Sequence, residues 1–147
     1  MKNSLLIIAL VLVIGIQFGC SKQIVYSSGS SFGLCTKNCN KELSVYKDKH
    51  TYAVWNNGKN SPKNEMMVRT ESLYFDRISA LLNKIDFKKL DLRYGCPDCA
   101  DGGAEWIEVK IGMNTKRVVF EYNNPPSELA ALHAELKLVR QLYEAKP

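Results

Sequence analysis

Ala104-Glu105-Trp106-Ile107-Glu108-Val109-Lys110-Ile111-Gly112-Met113-Asn114-Thr115-Lys116-Arg117-Val118-Val119-Phe120-Glu121-Tyr122 is the stretch that decides the fold. Successive side chains of a strand point to opposite faces. Glu105, Ile107, Val109 and Ile111 therefore share one face, and Trp106, Glu108 and Lys110 the other. Residues 112–115 hold the Gly and Asn of a turn. The chain then returns over 116–122 with Val118, Phe120 and Tyr122 on one face. This reads as a β-hairpin.

Downstream, Asn123-Asn124-Pro125-Pro126 ends the strand and opens a helix, since proline is tolerated in a first turn. Leu129, Leu132, Leu136, Val139 and Tyr143 form its apolar stripe. Lys137 and Arg140 lie toward its C-terminal end, where the helix dipole favours cations.

Upstream, residues 43–47 alternate apolar and polar, 48–50 suit a turn, and Thr51-Tyr52-Ala53-Val54-Trp55 is rich in β-favouring types. These predict a second hairpin. The Asn-Asn-Gly and Ser-Pro pairs make 56–64 a loop, and 65–69 suits a short edge strand. Thr70 is the expected N-cap of a helix whose Tyr74, Ile78, Leu81, Leu82 and Ile85 fall at helical spacing. The element order is β-β-α-β-β-α. It predicts an α+β two-layer sandwich, an antiparallel sheet from two hairpins with two helices on one face.

The N-terminus carries a different signal. Lys2 precedes an uncharged apolar run from Leu5 to Ile16, and Gly19 stands directly before Cys20. A charged n-region, an apolar h-region and a small residue mark an export signal, and the run is too short for a comfortable membrane span. The Gly19-Cys20 junction resembles the lipobox of bacterial lipoproteins, although Gln17 and Phe18 stand where lipoboxes usually carry Leu and a small residue. That departure leaves a non-cleaved anchor or plain secretion as alternatives. The resemblance implies a cleaved lipoprotein signal peptide over 1–19 and acylation of Cys20, with two or three chains. Stable anchoring needs more than one chain. The polar, Ser/Gly-rich stretch over 20–33 reads as a flexible tether, leaving 34–147 as a single α+β domain. No acidic run follows Cys20, which favours a lipid-anchored, periplasm-facing place in the bacterial cell envelope. The formal charge of +5 over 147 residues is spread along the chain. No nucleic-acid motif accompanies it, so no nucleic-acid partner is expected.

Apart from Cys20 the chain has four cysteines, Cys35, Cys39, Cys96 and Cys99. An even set in an oxidising compartment predicts two disulfides, with local pairing slightly favoured over the crossed pairings. Two segments around them, Phe32-Gly33-Leu34-Cys35-Thr36-Lys37-Asn38-Cys39 and Gly95-Cys96-Pro97-Asp98-Cys99-Ala100-Asp101-Gly102-Gly103-Ala104-Glu105-Trp106-Ile107-Glu108, resemble a family of uncharacterised bacterial envelope lipoproteins. The later Val119-Phe120-Glu121-Tyr122 adds to the likeness. The resemblance implies an envelope location and a small α+β domain, and supplies no catalytic residue.

Candidate chemistry is sparse. Cys96-Pro97-Asp98-Cys99 has the C-x-x-C spacing of dithiol oxidoreductases, but a Gly-rich loop and a strand follow it instead of the helix that lowers a thiol pKa. Four thiolates at these spacings suit zinc, which an oxidising envelope disfavours. Asp98, Asp101, Glu105 and Glu108 are hard-oxygen donors of the kind that bind Ca²⁺, without the EF-hand spacing. Paired carboxylates also serve glycoside hydrolysis. Glu105 and Glu108 point to opposite faces of a regular strand, so solvated acids are the expectation, with no metal and no cofactor. His50, placed in the turn, and His133, beside the helix stripe, read as structural or surface residues. Tyr52, Trp55, Trp106 and Tyr122 form either an aromatic ligand face or sheet packing, and packing is favoured. The expected function is a membrane-anchored, non-enzymatic binding or structural module with a protein or small-molecule partner. Its binding loop centres on Asp98, Asp101, Gly102, Gly103 and Glu105. A thiol–disulfide protein acting through Cys96 and Cys99 is the alternative.

Overall fold

The computed structural model describes residues 23–69 and 72–144. The signal segment, Cys20 and the expected N-cap Thr70 lie outside the described residues. The described chain is mixed α+β, with one seven-stranded sheet. In chain order the elements are β1 (Ile24–Ser31), β2 (Asn40–Val45), β3 (Lys49–Trp55), β4 (Asn64–Arg69), α1 (Leu73–Leu82), β5 (Arg93–Tyr94), β6 (Ala104–Ile111), β7 (Asn114–Glu121) and α2 (Ala130–Glu144). The strands lie side by side as β4-β3-β2-β1-β6-β7-β5. All pairings are antiparallel except the short β5–β7 contact.

Both expected hairpins are present inside this larger sheet. In β6–β7, Ile111 pairs with Asn114 and Trp106 with Val119, across a two-residue Gly112-Met113 turn. Gly112 has φ 61°, the left-handed region that glycine enters without a Cβ clash. In β2–β3, Val45 pairs with His50, so the turn is 46–48 and His50 belongs to β3, where it is buried. That corrects its placement in the turn.

The largest correction is β1. Residues 20–33 read as tether because Ser27-Ser28-Gly29-Ser30-Ser31 lacks apolar alternation, yet Ile24–Ser31 is the middle strand. Its backbone groups pair with β2 on one side and β6 on the other. A ladder filled on both sides does not depend on strand-favouring side chains, and small residues leave room for large neighbours. At Gly29 a Cβ would overlap the Trp106 ring and the Lys41 carbonyl. Ser27 and Ser44 hydroxyls hydrogen-bond across strands at 3.0 Å.

One face of the sheet meets the helices. Tyr26, Leu43, Val45, Tyr52, Ile107, Val109, Val118 and Phe120 form a core with Ile78 of α1 and with Leu132, Leu136, Val139 and Tyr143 of α2. Leu129, in the short 3₁₀ turn before α2, joins them. The five residues of the expected α2 stripe are thus all buried. Helix α1 starts behind Ser72, whose side chain makes no capping hydrogen bond.

Among the described residues the opposite face carries no helix and is clad by long side chains. Arg117 lies 4.0 Å over the Trp106 ring and donates to Glu108 at 2.8 Å. Lys63 covers Trp55 at 4.6 Å and pairs with Glu42 at 2.8 Å. Trp is the best ring for such cation–π contacts. The four aromatic residues singled out in the sequence therefore do not make one face. Tyr52 is in the helix-side core, Trp106 and Trp55 are capped by cations, and Tyr122 packs edge-on against Phe32 at 4.9 Å.

Candidate functional site

Antiparallel pairing of β1 with β2 and β6 carries both cysteine segments to one end of the sheet. The cysteines pair locally, Cys35 with Cys39 and Cys96 with Cys99, each with Cα atoms 5.4 Å apart. The crossed pairings are excluded. Cys39 is buried, whereas Cys96 and Cys99 are exposed.

The two braced loops are coupled. The Gly33 N–H donates to Asp98 Oδ1 at 3.2 Å, and the Phe32 ring fills the space a side chain would take at Gly103. Asn57 donates from Nδ2 to the Phe32 and Gly33 carbonyls at 3.0 and 2.8 Å. Within the second loop, the Asp98 N–H donates to the Gly103 carbonyl at 3.0 Å. The Glu121 carboxylate accepts the Cys96 N–H at 2.9 Å, which holds that carboxyl below its usual range together with the Asn124 amide.

This loop is conformationally unusual. Asp98, Ala100 and Asp101 have φ of 63°, 49° and 60°, and Gly103 has φ of 80°. A left-handed non-glycine residue costs about 1–2 kcal/mol, least for Asp and Asn. Ala100 therefore stays there only because its surroundings hold it. Asp98, Asp101 and Gly102 are exposed, so the loop presents a rigid, acidic, bent surface.

Glu105 does not belong to that surface. It is 1% exposed and faces the helices. Arg140 Nη2 donates to its Oε1 at 2.5 Å, while His133 Nε2 and the Asn123 N–H reach Oε2, each at 2.9 Å. Burial opposes ionisation of Glu105, but His133, Arg140 and the Asn123 amide together hold its pKa down at about 2. Every oxygen has a partner inside the protein, so the cluster braces α2 against β6 and offers no open position. Arg140 is correspondingly buried, not a solvated cation of the last turn.

The sequence held a signal for this cluster. Glu105 occupies the apolar face of β6, and His133 and Arg140 occupy α2 positions in line with Leu129 and Leu136. Polar residues on two facing apolar patterns pair with each other when buried. His50 is a further buried polar group. Its Nδ1 lies 2.9 Å from the Tyr143 hydroxyl and burial lowers its pKa.

A groove of about 380 Å³ opens between β3, β4 and the end of α2, lined in part by Lys41, Tyr52, Met66 and Glu144. Lys41 Nζ and the Tyr52 hydroxyl both donate to Glu144 Oε1, at 3.1 and 3.3 Å. Its size is at the lower end for small-molecule sites, and these polar groups satisfy one another. Among the described residues no group of His, Cys, Asp and Glu is arranged to hold a metal ion. No helix of the described residues is long and apolar enough to cross a membrane.

No family model matches the chain, and no curated protein matches it.

Proposed function

We propose that the protein is a bacterial envelope lipoprotein, held on a membrane through acylated Cys20, that acts as a non-enzymatic binding or structural module. Its paired cysteine loops form the contact surface for a protein or small-molecule partner. The observation that carries this reading is the coupling of the 33–39 and 95–103 loops through Asp98 and Phe32 at one end of the sheet. Loops held rigid before binding lose little entropy on contact, which is what a recognition surface needs. The order of Lys2, the apolar run, Gly19 and Cys20 supports the anchor. The likeness to envelope lipoproteins in the cysteine segments points the same way.

The alternative, a thiol–disulfide protein, draws on the exposure of Cys96 and Cys99. Exposed disulfides are the more readily reduced ones. The pair is followed by a single 3₁₀ turn and then β6, so the helix N-terminus that usually activates such a thiolate is absent from these described residues.

Capture from native envelopes with wild-type protein and with Asp98→Ala tests the binding reading. A partner retained by the wild type and lost by the variant supports it; identical retention contradicts the assignment to the loops. Thiol titration before and after mild reductant tests the alternative. A Cys96–Cys99 pair that stays oxidised supports a brace, and rapid cycling with a substrate protein supports redox work.

A further inference from the structure

The end of the sheet opposite the cysteine loops is where the chain enters β1, and it is bound tightly there. The Gly112 N–H donates to the Gln23 carbonyl at 3.0 Å, so Gln23 is already fixed beside the β6–β7 turn. Ile24 pairs with Ile111 directly after it. Only Ser21 and Lys22 stand between Gln23 and Cys20. At about 3.6 Å per residue, Cys20 lies at most about 11 Å from Gln23. This is too short for a domain swinging free of the surface. An acyl-bearing Cys20 puts the Gly112-Met113 turn at the height of the lipid headgroups.

The residues at this end suit that place. Met113 is 99% exposed, and Ile111, which closes the same hairpin, is exposed as well. Lys110 is exposed next to the turn, and Lys47 is exposed in the neighbouring β2–β3 turn. Lys49 starts β3 and pairs in register with Arg69 at the end of β4. Gln23, Ile24, Lys47 and Phe75 line one shallow groove, which shows that the β1 entry, the β2–β3 turn and the start of α1 share this end. Asp48 and Asp76 line the same groove as Lys47, while Lys49, Arg69 and Lys110 add basic charge at the same end of β3, β4 and β6. An apolar tip flanked by basic residues fits an anionic lipid surface, to which basic residues near the headgroups are attracted.

We infer that this end, with Met113 at its tip, docks on the anionic headgroups of the membrane that holds the anchor. The sheet then stands upright and carries the cysteine loops about 25 Å outward, the length of an eight-residue strand. The inference rests on acylation of Cys20 and adds an orientation to it.

The test uses the full acylated chain in phosphatidylglycerol-containing vesicles with headgroup spin-labelled lipid. A nitrobenzoxadiazole fluorophore is placed at Met113→Cys or, at the other end, at Lys59→Cys. The expected result is strong quenching at 113, none at 59, and a loss of quenching at 113 when Lys47, Lys49 and Lys110 are all changed to Glu. Chain that floats with vesicles but shows equal quenching at both positions overturns the docking and leaves the anchor standing. Chain that carries no acyl mass and does not float overturns both.

Discussion

Glu105 shows how one buried charge is made tolerable. Desolvation alone would keep it neutral, and three donors reverse that. Removing its charge leaves buried Arg140 with the Glu144 carboxylate alone, 3.9 Å from its Nε, and breaking the closer pair costs up to about 3–5 kcal/mol. Glu105→Gln is therefore expected to lower the chemical-denaturation midpoint strongly at neutral pH. The pH dependence has a definite sign. The folded-state pKa of about 2 lies below the ordinary 4.5, so the unfolded chain takes up the proton first. The contribution is fully present above about 4.5 and is lost as pH falls toward 2, up to about 3 kcal/mol. Denaturation of wild type and Glu105→Gln at pH 6 and pH 3 measures it; the variant should lose much less stability between the two. His50 adds an earlier step of the same sign, because burial lowers its pKa and the unfolded chain binds a proton first below about 6.5. Gly29 makes a steric claim. A methyl group there overlaps a backbone carbonyl that cannot rotate away, so Gly29→Ala should cost about 1–3 kcal/mol, read as a fall in Tm.

Among the elements, β6, β7 and α2 were legible because their patterns have one period throughout. β1 was not, because its side chains are small for the benefit of its neighbours and its stability comes from two ladders the local sequence does not display. The same logic hid the site. Glu105, His133 and Arg140 each lie in line with an apolar pattern, but no local pattern shows that they face one another. The cysteine loops were placed correctly as loops, and their coupling through Asp98 and Gly33 spans 65 residues that no local pattern links. That coupling is testable on its own. Asp98→Ala should speed amide exchange at Gly33 and across 98–103, while global stability changes by about 1 kcal/mol. Unchanged exchange would show that Phe32 and Asn57 hold the loops without it.

In the whole molecule, the helices shield one face of the sheet and cation-capped aromatics the other. In the proposed reading, contact with membrane and partner falls to the two ends. One end receives the chain from Cys20 and bears Met113 and lysines, and the other bears the disulfide-braced loops. The proposed function rests first on the acylation of Cys20. The most direct measurement is the intact mass of the protein from native envelopes, with peptide mapping of its first residue. The expected result is a chain starting at Cys20 with acyl mass attached and Cys35, Cys39, Cys96 and Cys99 oxidised in local pairs. A chain beginning at Met1, without acyl mass and with four free thiols, would contradict it.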